Sequence, residues 1–145
     1  MIICDIDGTI ADLTHRLHYI KGDDRNFDKF YEQIPGDPEI EWVCEVLESL
    51  VIATGRKVVF ITGRSDIARP QTSKWLKDHL GQGKADLLMR PEGDHRPDYV
   101  VKADLLKHYK IKPKDVLCVL EDRKQVVSMY REKGFNVMQV AEGNY

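Results

Sequence analysis

Short apolar runs alternate along this chain with longer stretches in which apolar residues recur every three or four positions. The first run, Ile2, Ile3, Cys4 and Ile6, is rich in β-branched residues and reads as a buried strand. Further strands are predicted at Lys57–Thr62 (KVVFIT), Ala85–Met89, Val116–Leu120 and Asn136–Val140. Between them, Pro38 opens an amphipathic helix through Ile40, Trp42, Val43, Val46, Leu47 and Leu50, with proline near its start. A second helix spans Ile67–Leu80, packing through Trp75 and Leu76, and Gly81 is placed to end it. A third covers Tyr99–Tyr109 with Val100, Val101, Leu105 and Leu106 inward, and a fourth covers Arg123–Lys133. Leu13–Pro38 is polar and aromatic, with room only for a short helix over Asn26–Gln33 carrying Phe27, Phe30 and Tyr31. Strands alternating with helices at this spacing predict an α/β fold: a mostly parallel sheet with helices on both faces.

Composition narrows this reading. At 145 residues, with 42% hydrophobic and 32% charged residues, the chain is expected to form one domain, 1–145, with a sizeable core. It has no repeat, no low-complexity tract, and no apolar run of about 18 residues that would span a bilayer. Its N-terminus is a strand rather than a secretory signal, so no membrane association is expected. Cys4, Cys44 and Cys118 are an odd number and read as core residues in a reducing cytoplasm. A net charge of −2 excludes a globally basic nucleic-acid coat and leaves room for a local basic groove. No protein partner is evident.

The candidate chemistry starts at Asp5 and Asp7, at the C-terminal end of the first strand, where ligands bind in open α/β sheets. Burying two carboxylates is costly unless a cation or donors compensate. Gly8 permits a tight turn and Thr9 supplies a hydroxyl to hold it. The pattern D-x-D-G-T therefore suits a hard cation such as Mg²⁺, with one carboxylate free to attack phosphorus. Capping a helix would account for only one such acid. Thr62 closes the strand KVVFIT, where a hydroxyl and the neighbouring amides can hold a phosphate oxygen. Lys102, near the start of a helix, can neutralise phosphate charge, and Glu121-Asp122 forms a second acidic strand end. Each alone has an ordinary explanation, as a cap or a solvated charge. Their order, each on its own βα unit, does not. His15 and His18 lack further ligands at zinc-site spacing and read as solvated or locally bonded.

That order resembles the haloacid dehalogenase-like phosphatases. The resemblance implies a Rossmann-like three-layer α/β/α sandwich with a minimal cap or none, and a two-step phosphoryl transfer. Asp5 would be the nucleophile, forming an aspartyl-phosphate. Asp7 would protonate the leaving oxygen and then deprotonate the hydrolytic water. Mg²⁺ would be held by Asp5, the Asp7 carbonyl and Asp122, with Glu121 close by, while Thr62 and Lys102 hold phosphoryl oxygens. A narrower likeness covers nearly the whole chain: DIDGTIAD, ITGR, RPEGDHRPDYVVK and LEDRKQVVSMYREKGFNVMQVAEGNY resemble the 3′-phosphatase domain of phage-type polynucleotide kinase/phosphatases. It implies substrate contacts from Arg16, Gly63, Arg64 and Asp98, and a phosphorylated nucleic-acid end or nucleotide as substrate. Glu121 departs from the aspartate usual there, and the absence of G-x-x-x-x-G-K-[ST] means that this chain carries no kinase half. The expectation is a stand-alone 3′-phosphatase. Two alternatives are a 5′-nucleotidase or broad small-molecule phosphatase, and a non-catalytic binder, which would have no need of a nucleophile. Arg69, Arg90 and Arg96, together with Arg16 and Arg64, lean toward a substrate with several phosphates.

Overall fold

A computed structural model describes residues 1–81 and 85–143. The last two residues of the final matching stretch, Asn144 and Tyr145, lie outside the described residues. Five strands, β1 (Ile2–Cys4), β2 (Val58–Ser65), β3 (Asp86–Arg90), β4 (Val119–Arg123) and β5 (Val137–Gly143), form one all-parallel sheet in the order β3-β2-β1-β4-β5. The helices are α1 (Phe27–Glu32), α2 (Glu41–Thr54), α3 (Arg69–Leu80), α4 (Asp98–His108) and α5 (Lys124–Glu132). This is the Rossmann-like three-layer α/β/α arrangement, and the insertion after β1 holds only short helical pieces, a seven-residue 3₁₀ segment (Thr14–Ile20), α1 of six residues, and a three-residue 3₁₀ turn (Ile34–Gly36).

Strand residues point alternately to opposite faces, and both faces are covered. Ile2, Cys4 and Phe60 pack with Val43, Leu47, Trp75 and Leu76 of α2 and α3. Ile3, Val59 and Ile61 pack with Val101, Leu105, Val126 and Tyr130 of α4 and α5 on the other side. The three cysteines are buried and free, as the core reading requires. No helix among the described residues is long and apolar enough to cross a membrane.

Element existence matches the sequence pattern, while several boundaries differ where polar residues are built into strands. β1 stops at Cys4, so Ile6 belongs to the turn that follows it. β2 continues past its predicted end at Thr62 to Ser65, with a bulge between the two. β4 starts three residues later than Val116 and runs through Glu121 and Asp122. α2 starts at Glu41, after Ile40 has paired with Ile10, so Pro38 lies ahead of the helix. Gly81 does end α3, in the left-handed conformation at φ 64°.

Candidate active site

The site lies at the C-terminal ends of β1, β2 and β4. Asp5 follows β1 directly, its N–H donating to the Leu120 carbonyl (3.0 Å), so its carboxylate emerges beside β4. The chain then turns sharply at Gly8 (φ 77°), and the amides of Thr9, Ile10 and Ala11 all donate to the Ile6 carbonyl. Backbone groups thus hold the turn. The Thr9 hydroxyl instead donates to Asp122 (3.2 Å), tying the turn to the acidic end of β4.

Lys102 reaches this point from α4 and is completely buried. Its ammonium donates to Asp5 Oδ1 (2.7 Å) and Glu121 Oε2 (2.8 Å) and lies 3.4 Å from Asp98, one helical turn before it. Burial alone would lower the Lys102 pKa, but Asp5, Asp98 and Glu121 outweigh it and keep the group charged. Burial, and then the Glu121 charge, push Asp5 well above the usual carboxylate range, although Lys102 opposes them. Burial likewise raises Glu121. Among the described residues, one group of acids could hold a cation. Ligand oxygens of Asp5, Glu121 and Asp122 lie within 4.8 Å of one another. Three buried, mutually repelling carboxylates fit a hard divalent ion such as Mg²⁺. Glu121 is the most committed of the three, since Oε2 accepts from Lys102 and Oε1 from the amides of Asp122 and Arg123.

A second network surrounds Asp7. Arg64 clamps it with two hydrogen bonds, Nε to Oδ2 (2.9 Å) and Nη2 to Oδ1 (2.6 Å), and Arg16 adds a third at 2.7 Å. Burial would raise the Asp7 pKa, but the charge and bonds of Arg64, then Arg16, hold it below the ordinary value. Behind the arginines stands Asp37, fully buried. It accepts from Arg16 Nε (2.6 Å) and Nη2 (2.7 Å) and from Arg64 Nη2 (2.9 Å). Two guanidiniums are thus matched by two carboxylates. Asp37 arrives there because the residues after it pair with those after the turn: Asp12 N–H donates to Pro38 O and Ile40 N–H to Ile10 O, both 2.8 Å. Trp75 donates its indole N–H to the Asp37 carbonyl (2.8 Å). Arg16 sits in the 3₁₀ turn Thr14–Ile20, which Asp12 starts by accepting from the Thr14 amide and hydroxyl.

The structure brings Asp5, Lys102, Glu121 and Asp122 into one cluster, and Asp7, Arg16 and Arg64 into the adjoining one. Thr62 is buried, its Oγ1 accepting from the Arg64 amide (3.2 Å), which leaves the hydroxyl hydrogen to donate. Gly63 lies so close to the Asp98 carboxylate that a Cβ there would overlap it. Asp98 also meets Arg90 (3.3 Å) and Arg123 (3.5 Å). Asp37 went unread in the sequence; its only signal is an acid between glycine and proline in IPGDPE. The outlying arginines also have structural partners. Arg69 donates to Leu87 O, and Arg90 holds the carbonyls of Gly63, Asp94 and Arg96. Arg96 pairs with Asp94 and Asp104. Of the two histidines, His15 bonds Asp37 (2.8 Å) and His18 stacks on Tyr19.

Known proteins share this fold and sequence pattern. A solved chain from a Pnkp1/Rnl/Hen1 complex is 31% identical and superimposes with a TM-score of 0.77 over 99% of this chain and 46% of its own. A chain from a Pnkp1/Rnl/Hen1 RNA repair complex gives 32% identity and a TM-score of 0.76, covering 99% and 43%. A haloacid dehalogenase-like hydrolase from Streptococcus pneumoniae, 15% identical with a TM-score of 0.62 over 95% of this chain and 82% of its own, shares the fold. A protein of Autographa californica nuclear polyhedrosis virus, named for polynucleotide kinase and RNA ligase activities, is 30% identical over 131 residues. That match takes in 90% of this chain and 18% of the viral protein, so the chain spans a small part of its curated relative and under half of the first two solved ones. The family model for the polynucleotide kinase PNKP phosphatase domain matches residues 1–145, and the chain belongs to that family of haloacid dehalogenase-type phosphatases.

Proposed function

We propose that the chain removes 3′-phosphates from polynucleotide ends or 3′-nucleotides, in a Mg²⁺-dependent reaction through an aspartyl-phosphate on Asp5. The observation that carries the reading is the placement of Asp5, buried between the Lys102 ammonium and the acids of β4. In the first step an Asp5 oxygen attacks phosphorus, the bond to the leaving oxygen breaks, and Asp7 gives that oxygen a proton. In the second, water attacks the aspartyl-phosphate, Asp7 takes the water's proton, and phosphate departs. Lys102 and the Thr62 hydroxyl hold the phosphoryl oxygens as negative charge moves across them. Arg16 and Arg64 offer planar forks that suit a phosphate. An arriving phosphate competes with Asp7 for those forks and frees the carboxyl that has to carry the proton. Mg²⁺, when held by Asp5, the Asp7 carbonyl and Asp122 with Glu121 beside them, neutralises charge on nucleophile and ester.

Phosphate release from one oligonucleotide carrying the group at either its 3′ or its 5′ end tests this. The 3′ end should react at least about tenfold faster, a barrier difference of about 1.4 kcal/mol. Asp5→Asn should abolish both reactions while leaving the fold intact. A faster 5′ end transfers the assignment to a 5′-nucleotidase. Residual turnover of Asp5→Asn above about a tenth, where loss of the nucleophile should cost far more, removes Asp5 from its role.

A further inference from the structure

Helix α1 spends three of its six positions on aromatic residues, and they are arranged in sequence outward from the phosphate side of the site. Phe30 is buried and lies against the Arg16 guanidinium, 4.2 Å from ring centroid to Cζ. Tyr31, half-buried, stacks at an angle on Phe30 (5.6 Å) and takes a hydrogen bond at its hydroxyl from the backbone of Ser65, the residue after Arg64. Tyr31 is thereby one ring removed from the Arg16 guanidinium. Phe27 stands one turn earlier, its ring 6.3 Å from that of Tyr31 and tilted by 37°, and it is 47% exposed. Packing accounts for Phe30 and for the inner side of Tyr31, which lies against the core, but not for Phe27. A half-exposed phenylalanine beside a charged cleft buries little apolar area for its size. The helix is nevertheless held firmly: the Asn26 side chain accepts from the Lys29 amide (3.0 Å), and the Asn26 amide donates to Tyr19 O (2.7 Å).

The geometry points to Phe27 and Tyr31 as a stacking platform for the nucleobase next to the scissile phosphate. The proposal rests on the nucleic-acid reading of the site and deepens it by naming the group that receives the base. A rigid aromatic surface beside a cationic phosphate grip is the combination that holds single-stranded nucleic acid without base preference, because every base has a π face. Phosphate held by Arg16 and Arg64 leaves the attached nucleoside to settle along α1, whose own Phe30 fixes one of those arginines. The ligand class is therefore a nucleotide or a single-stranded end, of any base, with the ring on Phe27 and Tyr31.

Phe27→Ala removes the exposed ring without touching the catalytic groups. It should lower kcat/KM for a 3′-phosphorylated oligonucleotide by about tenfold, mainly through KM, within the usual range for loss of one base stack. Turnover of p-nitrophenyl phosphate, which offers no base, should stay within about twofold. Phe27→Trp should keep the oligonucleotide activity, and an oligonucleotide with an abasic terminal residue should be insensitive to Phe27→Ala. A variant that loses both substrates equally, or neither, overturns the platform. Fluorescence anisotropy of the same oligonucleotide on the Asp5→Asn protein reads binding without turnover. Weaker binding in Asp5→Asn/Phe27→Ala supports the platform even if another ester is the preferred substrate, and equal binding overturns it even if the 3′-phosphatase reading stands.

Discussion

Replacing Asp37 by asparagine removes one of the two charges that balance Arg16 and Arg64 while keeping the volume. Both guanidiniums then compete for Asp7 alone in a site where Arg16 and Asp37 are wholly buried. Breaking a buried pair from one side costs about 3–5 kcal/mol. Melting of Asp37→Asn should therefore start several degrees lower, by about 2–4 °C per kcal/mol for a chain of this size. Turnover should fall by more than about tenfold, since binding groups displaced by even 1 Å lose catalysis steeply. Unchanged melting and kinetics would show the network to be dispensable. At this scale the sequence was partly legible. Asp5, Asp7, Thr62, Lys102 and Asp122 stand in motifs whose chemistry needs those residue types. Asp37 stands in none, because its value comes from two arginines 21 and 27 residues away.

Among the elements, β2 and α4 come into close approach where Gly63 faces Asp98. Asp98 cannot simply swing aside, since Arg90, Lys102 and Arg123 all engage it. Gly63→Ala should therefore destabilise the protein by about 1–3 kcal/mol, as overpacking does, and should also move Lys102 off Asp5. Urea unfolding and kcat measured together check this, with the expectation that both fall; a stable, fully active variant would mean that the two elements can slide. The helices and strands were readable from periodicity, but β4 shows why their ends were not. The apolar pattern VLCVL ends at Leu120, where the acidic pair Glu121-Asp122 begins. In the folded chain Lys102 and Thr9 compensate them from other elements, so the strand runs on to Arg123. Compensation across 19 and 113 residues leaves no local trace.

For the molecule as a whole, the acid cluster makes stability depend on both pH and divalent cation. Asp5 and Glu121 hold their protons more tightly folded than unfolded. The stability they contribute is complete below the unfolded carboxylate pKa of about 4 and is lost as pH rises through their raised folded values. Asp7 works in the opposite sense: its contribution is present above its unfolded pKa and disappears only as the pH falls through its lowered one. A bound cation cancels the repulsion that Asp5 and Glu121 meet once ionised. Added Mg²⁺ should thus raise Tm more at about pH 7.5 than at about pH 5, the stabilisation reaching about 2.7 kcal/mol at 100 times Kd, and EDTA should reverse the gain. An equal shift at both values would place the ion elsewhere. The alternation of strands and helices foretold the parallel sheet, though not the order β3-β2-β1-β4-β5, which depends on pairings between distant segments.

The matched set of Arg16, Arg64, Asp7 and Asp37 has a further consequence for how a polyanion is received. The two guanidiniums already have anionic partners before substrate arrives, and the chain as a whole carries a net charge of −2. Gripping a phosphate there is an exchange of ion partners, with few fresh cations to strip counterions from the nucleic acid. For a nucleic-acid substrate of the proposed kind, ionic strength should accordingly have a much weaker hold on association than it has on basic proteins that coat the backbone. If the chain acts on polynucleotide ends as proposed, discrimination should fall to fit at the terminus, so that a scarce phosphorylated end is selected from a large excess of uninterrupted strand.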